Sequence, residues 1–228
     1  MPDLKWRPAR PPAREPIAGE TVVLEPLDPD RHGADLFAAS SGAEATWFYL
    51  PYGPFEGREE FMAWLRERAP LDDPLAFVII DRAAEAARGI ATFMSIVPDH
   101  GVIELGHIWL SPALQRTRQA TEAIYRMARH AFEDLGNRRL EWKCDAANSG
   151  SRRAAERFGF TFEGVFRQHR IVKGRNRDTA WYSITDVEWP SRRAAFDAWL
   201  ATANFDEQGA QRRSLADIRS GIHEATRG

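Results

Sequence analysis

The stretch VIELGHIWLSPALQRTRQATEAIYRMARHAFEDLGNRRLEWKC (residues 102–144) decides the fold. It begins with an apolar run at 102–110 that a Ser-Pro pair ends, and it finishes at 139–144, where apolar and charged side chains alternate as in a half-buried strand. From Gln115 onward, apolar residues recur at helical spacing until Gly136-Asn137 stops the helix. The residues on that face are Ile124, Met127, Ala128, Ala131 and Leu135. A strand, a helix and a strand in this order predict a crossover connection.

The elements on either side indicate an α+β domain. Before the crossover, the predicted elements are a strand at 21–27, helices at 28–41 and 56–69, and strands at 75–80 and 89–97. After it come a short helix following 148–151, a hairpin around the turn at 173–178, and a helix at 191–203. The strand meander precedes the crossover helix, which is an α+β order. The chain therefore divides into a Pro/Arg-rich extended arm at 1–16, a domain at 17–190, and a C-terminal helix with a polar tail at 191–228.

Composition and charge exclude several classes of protein. The 228 residues carry 31 basic and 33 acidic side chains, and the net charge of −2 argues against a dedicated nucleic-acid binder. The longest apolar runs are too short to span a membrane, and the N-terminus lacks the apolar core of a signal peptide. The single cysteine, Cys144, excludes an internal disulfide and suits the cytoplasm. No His/Cys/Asp cluster has the spacing of metal ligands, so no metal site is expected.

A second motif, NSGSRRAAERFGFTFEG (residues 148–164), has four typed positions at fixed spacing: Asn148-x-x-Ser151, Gly159-Phe160 and Glu163-Gly164. It resembles the GCN5-related N-acetyltransferases (GNAT superfamily), and within them the RimJ/RimL-like branch that acetylates ribosomal-protein N-termini. KGRNRDTAWYSI (173–184) resembles the closing hairpin of that branch, and TWFYLP (46–51) its aromatic loop. The resemblance implies a mixed, mostly antiparallel sheet of about seven strands flanked by helices and splayed between the fourth and fifth strands.

The resemblance also implies acetyl-CoA as co-substrate and places its binding residues. A strand leads into a helix through a Gln/Arg-x-x-Gly-x-Gly/Ala loop whose amides hold the pyrophosphate, and residues 115–120 correspond, with Arg118 at the middle glycine. Either Arg118 or Arg116 could contact phosphate, or both could be solvated surface residues. The implied set is Ile108, Trp109, Leu110, Gln115, Arg116, Thr117, Arg118, Gln119 and Ala120, with Asn148 and Ser151 on the pantetheine arm.

Three residues are candidates for catalysis. Glu104 corresponds to a family glutamate that accepts the amine proton, and His107 is the rival base because imidazole titrates near neutral pH. Strict alternation puts these two on opposite faces of a strand, and a bulge at Gly106 would bring them together. The family's usual tyrosine acid is Ala155 here, so Ser151 is the candidate acid, although it could equally cap a helix.

The acceptor is the least defined part of the expectation. Trp47, Tyr49 and Tyr52 could form one wall of a substrate pocket, or they could simply pack on the first helices. The expected reaction is acetyl transfer to a primary amine on a small molecule or on a peptide N-terminus. The alternatives are a CoA-binding regulatory module without turnover and an acetyltransferase of small amines or antibiotics. The final helix and tail could support a homodimer.

Overall fold

The computed structural model describes residues 5–225. Positions 1–4 of the expected arm and 226–228 of the expected tail lie outside the described residues. The strands are β1 Ile17–Ala18, β2 Val22–Pro26, β3 Leu75–Asp81, β4 Ala86–Val97, β5 Val102–Leu110, β6 Arg139–Asp145, β7 Thr161–Val172 and β8 Arg175–Thr185. The helices are α1 Pro29–Ser40, α2 Arg58–Arg68, α3 Arg118–Arg129, α4 Ser149–Phe158, α5 Trp189–Leu200 and α6 Leu215–Ala225.

All eight strands form one sheet in the order β1-β2-β3-β4-β5-β6-β8-β7. Neighbouring strands are antiparallel except β5 and β6, which are parallel and pair only at Val102–Glu104 with Arg139–Glu141. Beyond Glu104 the two strands diverge, so the splay expected between the fourth and fifth predicted strands is confirmed. The sheet has one strand more than the expected seven. The additional strand is β1, whose two residues are too few to give a recognisable sequence pattern.

Two cores lie on opposite faces of the sheet. The larger joins α3, α4 and α5 to the side of β3 that carries Leu75, Phe77 and Ile79. The smaller joins α1, α2 and Trp47 to the other side of β3, which carries Ala76 and Val78. A strand covered on both faces is continuously apolar, which explains the unbroken run LAFVII at 75–80. Among the helices of residues 5–225, none combines the length and apolarity that crossing a bilayer requires.

Several local boundaries differ from the sequence expectation, and two of these differences have a clear physical cause. Helix α3 begins at Arg118, three residues after Gln115, because Thr117 caps it by accepting a hydrogen bond from the Ala120 amide. The turn of the β7–β8 hairpin contains only Lys173 and Gly174, both with positive φ, as in a two-residue hairpin loop. Residues 175–178, expected in the turn, therefore lie in β8.

Both terminal segments pack on the domain. In the N-terminal segment, the Ala9 amide donates to the Pro98 carbonyl at 3.0 Å and the Arg14 guanidinium pairs with Asp72 at 2.9 Å. The expected polar tail includes α6, which packs against α5 and α4. Arg219 on α6 donates to the carbonyls of Arg157 and Glu156 on α4. The described part of the tail packs on its own chain because α6 carries the buried residues Leu215 and Ile218. Charged residues on either side make this apolar pair difficult to recognise in the sequence.

Candidate active site

A cavity of about 1370 Å³ opens where β5 and β6 diverge. Its walls come from the β5 edge, the N-terminal ends of α3 and α4, the β7–β8 hairpin, and the segment after α5. Because β6 leaves β5 after Glu104, the β5 edge beyond that residue has no partner strand, and its backbone hydrogen-bonding groups face the cavity. A clefted sheet bordered by two helix N-termini suits an extended ligand with an anionic end.

One end of the cavity is lined by the loop Gln115–Ala120. Arg116 adopts a left-handed conformation with φ 61°, and the Thr117 cap then directs the chain into α3. The backbone amides of residues 116–119 donate to no acceptor among the described residues. Free amides at a helix N-terminus bind anions, so this loop fits the diphosphate of a coenzyme A molecule. Gln115 supports the loop by donating to the Leu110 carbonyl at 3.0 Å.

The two arginines of this loop have different surroundings. The guanidinium of Arg118 donates to the Leu200 carbonyl, lies 4.9 Å from the ring centroid of Phe205, and is 3.7 Å from Glu20. Arg116 is exposed and makes no hydrogen bond or ion pair through its side chain within residues 5–225. Arg118 is therefore committed to holding the segment after α5, while Arg116 remains available for a phosphate.

The segment after α5, residues 202–211, lines the cavity, and we call it the C-terminal wall. Its lining residues include Phe205, and Trp199 at the end of α5 donates to Gln211 at 2.7 Å. Arg157 on α4 also lines the cavity near this wall, and its guanidinium donates to Thr121 on α3 and lies 5.0 Å from the Trp199 ring centroid. Burial lowers the pKa of Arg157. Sequence reasoning missed the wall, because no periodic pattern connects it to the cavity.

The middle of the cavity runs along β5. Ile108 and Leu110 line it, while the side chain of Trp109 is directed into the second core. The Trp109 ring stacks on Trp47 at 4.7 Å, and its indole nitrogen donates to Thr46 at 2.9 Å. Of the three β5 residues expected to bind cofactor, Trp109 therefore offers only its backbone.

Asn148 and Ser151 occupy the N-terminal end of α4, and both line the cavity. Asn148 caps the helix by accepting a hydrogen bond from the Ser151 amide at 3.0 Å, which leaves its side-chain NH₂ unused. Ser151 Oγ accepts a hydrogen bond from the Trp142 indole at 2.9 Å. Since an indole nitrogen can only donate, the Ser151 hydroxyl keeps its own proton for donation, and it lies within hydrogen-bond reach of the Cys144 sulfur. Burial raises the pKa of the neighbouring Cys144, whose thiol packs in the larger core and also lines the cavity.

Glu104 lies at the point where the sheet splits, and its side chain is 6% exposed. Its Oε2 atom accepts from Lys143 Nζ at 2.8 Å and from Ser95 Oγ at 2.9 Å. Lys143 also pairs with Glu141 at 2.7 Å. These contacts orient the carboxylate, and its Oε1 atom has no hydrogen-bond partner among residues 5–225. A buried carboxylate with one free oxygen suits proton acceptance, directly or through water.

His107 reaches the cavity through a β-bulge. His107 and Ile108 together face the single residue Ala91 of β4, and His107 has φ 47°. The bulge thus lies at His107–Ile108, just beyond the position at Gly106 that the sequence analysis considered, and both Glu104 and His107 line the cavity.

The imidazole of His107 is held in its neutral form. Its pKa is lowered from 6.5 to about 4, first by burial. The positive charges of three guanidinium groups lower it as well, those of Arg68, Arg177 and Arg170. A neutral ring can accept a hydrogen bond at physiological pH, but with so low a pKa it is a weak general base.

The aromatic segment contributes less to the cavity than the sequence suggested. Tyr49 lines it and donates to the Ala147 carbonyl at 3.1 Å. Tyr52 lies behind His107, with ring centroids 5.5 Å apart, and burial raises the pKa of its phenol. Trp47 is 1% exposed and packs in the second core, between the rings of Trp109 and Trp64. The acceptor-side lining is completed by residues that sequence reasoning did not select: Thr46, Leu50, Pro51, His169, Arg170 and Arg177.

Comparison with known proteins identifies the family. A family model described as an acetyltransferase (GNAT) domain matches residues 21–161. The chain is 48% identical to a GCN5-related N-acetyltransferase from Brucella melitensis whose crystal structure is known, with a TM-score of 0.93 over 95% of this chain and 99% of that one. A probable acetyltransferase of the GNAT family from Chromobacterium violaceum is 46% identical, with a TM-score of 0.78 over 83% of this chain and 96% of that one.

A curated relative agrees with the branch suggested by the second motif. The putative ribosomal N-acetyltransferase YdaF of Bacillus subtilis is 26% identical over 171 residues, which are 73% of this chain and 91% of that protein. The α+β sheet with its splayed centre is the GNAT fold, as expected. The chain therefore belongs to the GNAT acetyltransferase family.

Proposed function

We propose that this protein is an acetyl-CoA-dependent N-acetyltransferase that passes an acetyl group directly to a primary amine, with a peptide or protein N-terminus as the acceptor. The observation that carries the proposal is the continuity of the cavity. It extends from the free amides of residues 116–119, past the unpaired edge of β5, to the side chains of Glu104, His107 and Ser151. The peptide acceptor is supported by the ribosomal N-acetyltransferase relative.

Acetyl-CoA would supply an activated acetyl group with a thiolate as leaving group. Its diphosphate would be held by the amides of residues 116–119 and by Arg116. The unpaired β5 edge and the side-chain NH₂ of Asn148 would bind the amide groups of the pantetheine arm. Arg118 would act indirectly, since its guanidinium holds the C-terminal wall.

The protons would be handled by two groups on opposite sides of the splay. The free Oε1 of Glu104 would accept the amine proton through a water molecule, while Lys143 holds the carboxylate in position through Oε2. Ser151 would donate its proton to the departing thiolate, because the Trp142 indole already occupies the serine oxygen as a donor. The neutral His107 would accept a hydrogen bond from the acceptor amine.

The test combines calorimetry with CoA and a thiol-release assay with acetyl-CoA against a panel of peptides and small amines. We expect CoA binding and turnover with at least one peptide, together with a loss of kcat of about tenfold or more in Ser151→Ala and in Glu104→Gln at unchanged CoA affinity. Unchanged kcat in both variants would contradict the assigned roles. Absence of CoA binding would contradict the proposal as a whole.

Two observations favour a second candidate, a CoA-binding regulatory module without turnover. Two hydrogen bonds already occupy Oε2 of Glu104, and Ala155 stands where the family usually has a tyrosine. CoA binding without thiol release for any acceptor would favour this module. A cytoplasmic location, supported by the single buried Cys144, and a homodimer remain part of the proposal.

A further inference from the structure

Two arginines face each other on the acceptor side of the cavity. Arg170 on β7 and Arg177 on β8 are direct cross-strand partners in the antiparallel hairpin, and both line the cavity. Like charges placed directly opposite each other in a sheet are destabilising. A negative charge bound between the two guanidinium groups would therefore stabilise this arrangement.

No carboxylate of residues 5–225 pairs directly with either arginine. Neither Arg170 nor Arg177 forms a side-chain hydrogen bond within this range, and the buried Nε atom of Arg177 has no partner. Burial lowers the pKa of Arg177, and the charges of Asp145 and Glu104 offset only part of that effect. Both carboxylates also have other partners, since Glu104 pairs with Lys143 and Asp145 accepts from the Ala147 amide at 2.8 Å. Arg170 is exposed, whereas the unpaired guanidinium of Arg177 is half-buried, which is costly unless a ligand completes it.

The arginine pair lies beside the candidate catalytic groups and apart from the phosphate loop. Both guanidinium groups contribute to lowering the pKa of His107. The hairpin tip packs on the aromatic segment, where Lys173 donates to the Trp47 carbonyl at 2.9 Å and Arg175 lies 4.4 Å from the Phe48 ring centroid. The loop at residues 115–120 is covered instead by the C-terminal wall. An anion bound by the arginine pair would therefore belong to the acceptor and not to coenzyme A.

We propose that Arg170 and Arg177 bind a carboxylate of the acceptor, so that the enzyme selects amines that carry a nearby carboxylate. This inference rests on the proposed function. Guanidinium groups match carboxylates in a planar, two-bond geometry, and two of them converging from neighbouring strands fix the position of the bound group. A carboxylate held beside His107 would bring the amine of the same molecule toward Glu104.

The experiment compares matched acceptors that differ only in charge. For peptides, the pair is Ser-Glu-Glu-Ala amide and Ser-Gln-Gln-Ala amide, and for small molecules it is free glutamate and glutamine amide. Each is assayed by thiol release with wild type, Arg170→Gln, Arg177→Gln and Arg177→Lys. Arg167→Gln serves as control, because Arg167 is exposed on the same strand and does not line the main cavity.

We expect wild type to prefer the acidic member of at least one pair by about tenfold or more in kcat/KM. That preference should disappear in Arg170→Gln and Arg177→Gln, return in part in Arg177→Lys, and persist in Arg167→Gln. It should also weaken with added salt. The pair showing the larger preference identifies whether the carboxylate belongs to a peptide or to a free amino acid.

A binding measurement keeps the inference independent of turnover. The N-acetylated forms of the two peptides are titrated into the protein with CoA present, and we expect the acidic one to bind at least tenfold more tightly in wild type but not in Arg177→Gln. Equal use of acidic and neutral acceptors, or equal binding of the two acetylated peptides, would overturn the inference. Loss of CoA binding or of all transfer would count against the proposed function. The titration with acetylated peptides would still show whether Arg170 and Arg177 bind a carboxylate.

Discussion

Lys143 Nζ lies 2.8 Å from Glu104 Oε2 at the position where β5 and β6 separate. The two side chains are 13% and 6% exposed, and the same ammonium group also pairs with Glu141 at 2.7 Å. The candidate base is therefore the end of a charged network that continues along β6 through Arg139 to Glu163. One ammonium group lies between two nearly buried carboxylates, so its removal should lower the free energy of unfolding.

Lys143→Met should destabilise the fold. It removes the counter-ion of the buried Glu104 carboxylate and one of the two cations that pair with Glu141, whose other partner is Arg139, and we expect a loss of about 3 kcal/mol in the free energy of unfolding. Chemical denaturation at pH 7 measures this. In the double variant Glu104→Gln/Lys143→Met the loss should be smaller than the sum of the single losses, because one of the stranded charges is gone. Additive losses would show that the pair is not coupled.

His107 predicts a specific dependence of stability on pH. Its pKa is about 4 in the folded protein and 6.5 in the unfolded chain, so between these values the unfolded state binds more protons at this residue. The contribution of His107 to stability is therefore constant above about pH 7 and falls as the pH drops from 6.5 to 4. The stability difference between wild type and His107→Gln should shrink over that range.

An NMR titration of the imidazole gives an independent reading of the same group. We expect its resonances to move near pH 4 and to stay unchanged around pH 6.5. A midpoint near 6.5 would mean that burial and the surrounding arginines do not act on this ring as inferred.

Variants of Asn148 and Ser151 should differ, because only Asn148 caps α4 through its side chain and only Ser151 is proposed to donate a proton. Asn148→Ala removes the cap of α4 and should cost about 1 kcal/mol in unfolding free energy. Ser151→Ala keeps that cap, so its main effect should be a fall in kcat. Ser149→Ala, at an exposed neighbouring position, is the control and should change neither quantity. If Ser151→Ala lowered only stability, the serine would be a support for the Trp142 indole.

The two arginines at the phosphate loop should also behave differently. Arg116→Gln should weaken CoA binding about tenfold, in a salt-dependent manner, because Arg116 has an unoccupied guanidinium near free backbone amides. Arg118→Gln should instead loosen the C-terminal wall, which Phe205 and the Leu200 carbonyl tie to this side chain. Calorimetry with CoA and limited proteolysis near residues 202–211 distinguish these outcomes. Equal effects on affinity would contradict the division of roles.

Much of the fold and part of the candidate site could be predicted from local sequence patterns. The change from strand to helical spacing within residues 102–144 predicts the crossover, and the spacing from Asn148 to Gly164 predicts the family. Asn148, Ser151 and the loop at 115–120 are predicted from the family resemblance, and the structure places all of them at helix N-termini that border one cavity.

Contacts between distant segments could not be predicted. Arg118 meets the Leu200 carbonyl 82 residues away, so no local pattern reveals that its guanidinium is engaged. The sequence permits a bulge near Gly106 but does not require one, since a single inserted residue leaves the apolar pattern of β5 nearly unchanged. The opposition of Arg170 and Arg177 depends on the register of the hairpin, which a two-residue turn sets.

The C-terminal wall closes the end of the cavity that contains the loop at residues 115–120. Residues 202–211 include no candidate for proton transfer, and they lie outside the stretch that the family model matches. With coenzyme A bound as proposed, loss of the Phe205 and Gln211 side chains would expose its nucleotide portion to solvent and leave the groups proposed for transfer in place. We therefore expect these residues to govern how long the coenzyme stays bound and not the chemistry of transfer.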